Sequence, residues 1–324
     1  MDMTFFEPMY PAELYTSRPN ETALLSPIYD FTFKGIFTQE TKESEIALKS
    51  FLSAVLNRQI TQVIIKSNEP IKETKKQKNM TFDVCVEFDN GEISDIEMQA
   101  WKQNYDYGMR AEIMISRLLT NNARKNKKEE KKWEAPKVYQ ISILNFHYKE
   151  SDNEDMTWYT LQSDSGKKLT SRQNIIFIDL AKIREKLGRP VEELSHIERW
   201  GLFFSYVDHD NQKDYIEKIM EQEEGIMAAA SIVKTMSKAN DNWFAQNSQY
   251  IAECDHNTSI YVAKQEGIAE GKAIGIIEGA QKHANEAAIN LIMMKILSPE
   301  QIAQALGLPL EKVLELQKET SVKA

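Results

Sequence analysis

"MTFDVCVEFDNGEISDIEMQAW", residues 80–101, reads as two strands folded about a turn. Apolar and polar residues alternate along it, the period-two pattern of a strand pair with one face on a core. The turn decides which side chains share a face. Asp89-Asn90-Gly91 suits a three-residue loop, a type I turn followed by Gly91 in the left-handed region as a bulge. Phe88 then pairs with Glu92, and Asp83 falls opposite Glu97. A two-residue turn at Asn90-Gly91 would instead pair Asp83 with Met98. In the first register, Asp83, Glu87, Asp95 and Glu97 share a face that finishes on Gln99. Phe82, Val84, Val86, Phe88, Ile96 and Met98 point the other way, into a core.

Directly paired carboxylates stand about 5 Å apart at Cβ. Like charges that close are unfavourable unless solvent or a cation relieves them. Two readings of the acidic face therefore stay open. It is a solvated hairpin surface with incidental acids, or it is a pair of hard oxygen ligands for Mg²⁺, which takes few protein ligands and keeps its waters.

Around the hairpin the pattern mixes helix and strand. "KESEIALKSFLSAVL" carries a helical apolar stripe through Ile46, Leu48, Phe51, Leu52, Val55 and Leu56, and "QVIIKSN" reads as a first strand. After Trp101, "DYGMRAEIMISRLLTNNARK" has helical periodicity, and "KVYQISILNFHY", "MTWYTLQS" and "QNIIFIDL" are strand-like. Helix, strand, hairpin, helix, strand is the order of a mixed α/β domain. The expected division is an arm over 1–23, an α/β domain over 24–190, a helical extension over 191–263 and a tail over 264–324.

In that tail Gly267, Gly271, Gly275 and Gly279 recur every fourth residue, which keeps them on one helical stripe. Each costs roughly 1 kcal/mol relative to Ala in a helix, so the stretch is either a close-packing seam or a loosened linker. "LSPEQIAQALGLPLEKVLEL" follows, with Ser298 and Gln301 as a capping box and Gly307 as a turn between two short helices. The second of these carries Glu311 and Glu315 against Lys312, which disfavours insertion into a DNA groove. A protein-contacting role is expected for the tail, either self-association or holding down the α/β domain.

The chain of 324 residues has a formal net charge of −9, 42% hydrophobic residues and two cysteines, Cys85 and Cys254. Two distant cysteines exclude a cysteine-based zinc site and fit a reducing compartment, so a cytoplasmic protein is expected. The five histidines never fall at metal-ligand spacing, and neither a G-x-S-x-G element nor a phosphate-binding glycine loop occurs. No secretory signal and no membrane-spanning run is read from the sequence. The acidic balance argues against nucleic acid, yet lysines bunch at 66–78, 123–132 and 165–172, and an acidic chain can still present a basic surface. Each run is otherwise a solvated loop.

Asp83 followed by Glu97-Met98-Gln99 is similar to the D…(D/E)-x-K signature of PD-(D/E)XK nucleases, with glutamine in the lysine position. "DFTFKGIF" (30–37), "FLSAVLN" (51–57), "DIEMQ" (95–99), Arg110, "VYQISILNF" (138–146) and "ERWGLFF" (198–204) occur in the order of one branch. Over about residues 24–210 the chain resembles the recombination-promoting nuclease and transposase family of bacteria. It departs in one place, where a tyrosine often stands four residues beyond the arginine and this chain has Met114.

The resemblance implies a restriction-endonuclease-like core and a Mg²⁺-dependent DNA endonuclease, Mn²⁺ being a natural substitute. Asp83 and Glu97 would hold the metal with the backbone carbonyl of Met98, and Glu45 would add an acid from the N-terminal helix. Asp30 is read instead as a helix N-cap. Gln99 would orient the attacking water, and Lys34 or Lys102 would supply the positive charge that Gln99 lacks. Lys75, Lys76, Lys78 and Arg110 complete the residues expected to face DNA, although Arg110 could equally pair with a carboxylate. Two rival readings remain: a nuclease fold with a decayed site acting as a binding or regulatory module, and an RNA nuclease.

Overall fold

The computed structural model describes residues 17–66, 83–102, 105–125, 133–148 and 154–322. Lys75, Lys76, Lys78 and Phe82, most of the basic run at 123–132 and most of the N-terminal arm lie outside the described residues.

Two helices, α1 (Asp30–Thr38) and α2 (Lys42–Leu56), precede the sheet. Thr41 caps α2 by accepting from the Ser44 amide, and Asn57 closes it in the left-handed region. Strands β1 (Val63–Ile65), β2 (Val84–Phe88) and β3 (Ile93–Gln99) form an antiparallel meander. Helix α3 (Tyr107–Asn122) crosses over, beyond a short ribbon of β4 (Arg124–Lys125) and β5 (Trp133–Glu134), to β6 (Val138–Leu144), which lies parallel to β3. β7 (Met156–Thr160) and β8 (Gln173–Asp179) complete a six-stranded mixed sheet in the order β1-β2-β3-β6-β8-β7. The parallel strands β3, β6 and β8 occupy its centre, where both faces can be covered.

The hairpin has the three-residue turn. Gly91 sits at φ +75°, its amide donates to the Phe88 carbonyl, and the Phe88 amide donates to the Glu92 carbonyl. Val84 pairs with Ile96 and Cys85 with Asp95, so the same register carries Asp83, directly before β2, opposite Glu97.

One sheet face, with Val84, Val86, Ile96 and Met98, packs on α1, α2 and the helices after β8. These are α4 (Leu180–Arg184), α5 (His196–Tyr206), α6 (Lys213–Gln222) and α7 (Glu224–Met236). Trp200 and Phe204 of α5 interlock with Phe33, Phe37 and Phe51 in edge-on and tilted contacts, and Phe203 packs edge-on against Trp200. The compact unit continues through Tyr250, so the helices read from sequence as an extension share the core of the α/β domain.

The acidic face is also covered. Met114, Ile115 and Leu118 of α3 pack on Cys85, Ile93 and Val138, while Tyr107 and Ala111 pack near Leu144, Phe146 and Phe177. The position where a tyrosine was expected thus holds a fully buried Met114.

The long helix α8 (Asn240–Met294) runs through the glycine repeat without a break. In the C-terminal unit, Ile251–Ala324, it is followed by α9 (Pro299–Leu306) and α10 (Leu310–Val322). Ser298 and Gln301 form the expected capping box, and Gly307 ends α9 at φ +65°. Ala288, Ile302, Ala303, Val313 and Leu316 make a small separate core. No helix among the described residues is long and apolar enough to cross a membrane.

Candidate active site

The site forms where the hairpin ends farthest from its turn. Three carboxylates of the acidic face gather there: Asp83, Asp95 and Glu97. Asp95 and Glu97 are almost completely shielded from solvent, at 0% and 1% exposure. Glu87, at the turn end of the same face, pairs with Lys66 and takes no part. The face is therefore no solvated surface. Burial under α3 turns an ordinary row of acids into an electrostatically costly cluster.

Each acid shows that cost. Burial, reinforced by Asp30 and Glu97, pushes the Asp83 carboxyl up to about 7, against the opposing pull of Lys34. Burial lifts Asp95 well above the usual carboxylate range, and the charges of Glu97 and Asp83 lift it further. Glu97 is also raised by burial, while Arg110, the Tyr107 hydroxyl and Lys34 pull it back.

The compensating groups come from two helices. In α1, Lys34 Nζ lies 2.8 Å from Asp30 Oδ2 and 3.0 Å from Asp83 Oδ1, joining the first helical turn to the hairpin. Asp30 is the first residue of α1, with Tyr29 at the N-cap and no side-chain capping bond. The N-cap reading of Asp30 is thus replaced by an i,i+4 pair with Lys34. In α3, Tyr107 Oη donates to Glu97 Oε2 at 3.0 Å and lies 3.1 Å from Ser142 Oγ. One turn on, an Arg110 guanidinium nitrogen reaches Glu97 Oε1 at 3.5 Å, so Arg110 is paired with a carboxylate. Asp106 starts α3 by accepting from the Gly108 amide, which points Tyr107 and Arg110 back over β3.

Gln99 ends β3 with its amide Nε2 3.4 Å from Glu97 Oε2. The strand end is held by Asn145, whose backbone amide donates to the Gln99 carbonyl and whose side chain donates to the Ala100 carbonyl. Since the Gln99 carbonyl faces β6, the alternation of the strand turns the Met98 carbonyl toward the β2 edge, the side on which Asp83 lies.

The other expected site residues fall elsewhere. Glu45 is exposed on α2 and pairs with Lys49 at 2.5 Å. The acid that the N-terminal helical region does bring to the cluster is Asp30. Lys102 is exposed just beyond β3, while Lys34 makes the contact with Asp83. Tyr107 was missed in the sequence, although its i,i+3 spacing with Arg110 was a usable signal once one of the pair was suspected.

Among the described residues, no group of three or more His, Cys, Asp or Glu side chains is gathered in a metal-binding arrangement. The hard oxygens at this edge are two paired carboxylates and one backbone carbonyl. That set fits a small divalent cation that retains several waters, and the mutual repulsion recorded in the raised acids is what such a cation relieves.

No curated protein and no solved structure matches the chain. A family match, in contrast, spans residues 27–263, from just before α1 to well inside α8, and includes the hairpin and all the side chains of the cluster. With Asp83 directly before the second strand of a mixed sheet, Glu97 and Gln99 on the third, and that match over most of its length, the chain belongs to the PD-(D/E)XK nuclease family transposases.

Proposed function

We propose that the protein is a divalent-metal-dependent endonuclease that hydrolyses phosphodiester bonds in DNA, in the setting of recombination or mobile DNA. The observation that carries this reading is the placing of Asp83 opposite Glu97, buried, mutually repelling and joined to a lysine. A structural ion-pair network would balance its charges, whereas here three carboxylates outweigh the cations and stay raised.

Asp83, Glu97 and the Met98 carbonyl would hold Mg²⁺ or Mn²⁺. When bound, the metal lowers the pKa of a water and neutralises charge that develops on the phosphate. Tyr107 and Arg110 fix the rotamer of Glu97 by engaging both of its oxygens. Gln99 cannot act as a base, but its carbonyl and amide can orient a water beside Glu97. Lys34, which lies beside Asp83, would offer its ammonium to the phosphate oxygens.

Plasmid nicking in Mg²⁺ by the purified chain and by Asp83→Ala tests the proposal. Loss of one metal ligand is expected to remove nearly all activity, a drop of about three orders of magnitude or more, with the fold intact by circular dichroism. Equal rates for the two proteins would overturn it. Cleavage of RNA in preference to DNA would keep the chemistry and change the substrate.

A further inference from the structure

Three aromatic rings meet where α1 and the end of β3, the elements that carry Lys34 and Gln99, run close to α8. Tyr29 caps α1 and directly precedes Asp30, which leads through Lys34 to Asp83. Trp101 lies two residues beyond Gln99. Tyr250 of α8 joins them, with its ring centroid 6.1 Å from Tyr29 at 84° and 5.9 Å from Trp101 at 43°. A fourth ring, Tyr105, is 46% exposed and close enough to Arg110 to act on its charge. Tyr29, Trp101 and Tyr250 are each half-buried, so ring surface remains in reach of a ligand.

A purely structural role would be to seat the start of α8 on the core. One feature of Trp101 argues against that as the whole account. Its indole Nε1 is shielded from solvent and has no hydrogen-bond acceptor among the described residues. Buried indole N–H groups normally find a partner, and Trp243 and Trp158 in this chain do so, donating to the Ser237 carbonyl and Asn174 Oδ1. An orphaned donor on a half-exposed ring is relieved when the ring turns toward an acceptor.

Resting on the nuclease reading above, we infer that Trp101, with Tyr250 and Tyr29, is a stacking platform for an unpaired nucleobase, and that the substrate is DNA with a single-stranded segment at the cleavage point. A base supplies a carbonyl or ring-nitrogen acceptor for the indole N–H, and a flat face that can lie on the ring surface left exposed. In an intact duplex the base faces are already stacked on their neighbours, so only an unpaired base can offer one. The exposed Lys102 follows Trp101 in the chain and Lys34 lies on the helix that Tyr29 caps, so the segments that carry the rings also carry positive charge for the phosphates that flank such a base. A protein ligand would use the rings without needing that charge.

The test is binding of fluorescent oligothymidylate and of a blunt duplex of equal length to the full-length chain in EDTA, read by anisotropy. The wild type is expected to bind the single strand more tightly. Trp101→Ala should weaken oligothymidylate binding by about tenfold, the loss of one stacked base, and change duplex binding by less than about twofold. Trp101→Phe should retain most of the affinity. If Trp101→Ala fails to unfold cooperatively, Tyr250→Leu takes its place with the same expectations. Tighter duplex binding by the wild type, binding of neither probe, or equal loss on both probes overturns the inference. Cleavage that depends on Asp83 while duplex and single strand respond alike to Trp101→Ala would sink the platform and leave the nuclease standing. Strand-selective binding without Asp83-dependent cleavage would do the reverse.

Discussion

In the proposed reaction an amide in place of the motif lysine would leave the phosphate short of one positive charge, and Lys34 meets Asp83 from another element. Its ammonium lies 3.0 Å from Asp83 although it is separated from that residue by almost fifty positions. If Lys34 supplies the charge that Gln99 cannot, the two positions are coupled. Lys34→Ala should cost roughly two orders of magnitude in nicking rate, Gln99→Ala less, and Gln99→Lys in the Lys34→Ala background should recover much of the loss. Single-turnover cleavage measures all four proteins. A Gln99→Lys change that rescues nothing would mean that Lys34 acts only as a structural partner of Asp30 and Asp83. From sequence, Lys34 and Lys102 could not be told apart, because nothing in a linear chain says which helix leans over the hairpin.

At the level of elements, the hairpin was legible and its covering was not. Asp89-Asn90-Gly91 carries its own register, because only a residue that tolerates positive φ fits the bulge, and Gly91 takes it at +75°. The alternation of β2 and β3 says which residues share a face, but it cannot say that a second layer seals the polar one. That layer is α3, whose Met114, Ile115 and Leu118 make the acidic face an interior. Glu45 was misplaced for the same reason: helical periodicity marks the buried stripe of α2 but not which helix end meets the strands. The sealed face has a consequence for stability. Asp83 rises from its ordinary value of 3.8 to about 7, so between those values the folded protein holds a proton that the unfolded chain has released. Stability therefore falls as pH rises through that window, by on the order of a few kcal/mol for a buried acid. Urea unfolding of the metal-free protein at pH 5 and pH 8 should show the loss, and Asp83→Asn should lessen it, leaving the share that the raised Asp95 and Glu97 contribute. The same slope in the variant would mean that Asp83 is as well solvated as a surface acid.

For the whole molecule, the four-residue glycine period identified a helical stripe without showing what it meets. Gly267, Gly271 and Gly275 are exposed and Gly279 partly so on a continuous helix, and a Cβ at any of them would have nothing within 4 Å. Ile268, Ile274, Ile276 and Ile277 are exposed on the same stretch. Lys312 pairs with Glu315 while Val313 and Leu316 turn inward, so α10 is occupied with its own small core. The tail is better suited to protein contact than to reading bases. Light scattering of the full chain should give a mass above that of one copy, and replacing Gly271 and Gly275 with Leu should return it to the monomer. A monomer in both cases would make the stripe a spacer.

Anomalous diffraction from crystals soaked in Mn²⁺ tests most directly whether Asp83 and Glu97 share one divalent cation. The expected result is one strong peak between the two carboxylates, about 2 Å from an oxygen of each and near the Met98 carbonyl, with Lys34 moved off Asp83. Crystals that take up Mn²⁺ elsewhere, while Lys34 remains on Asp83 and no peak appears between Asp83 and Glu97, would contradict it.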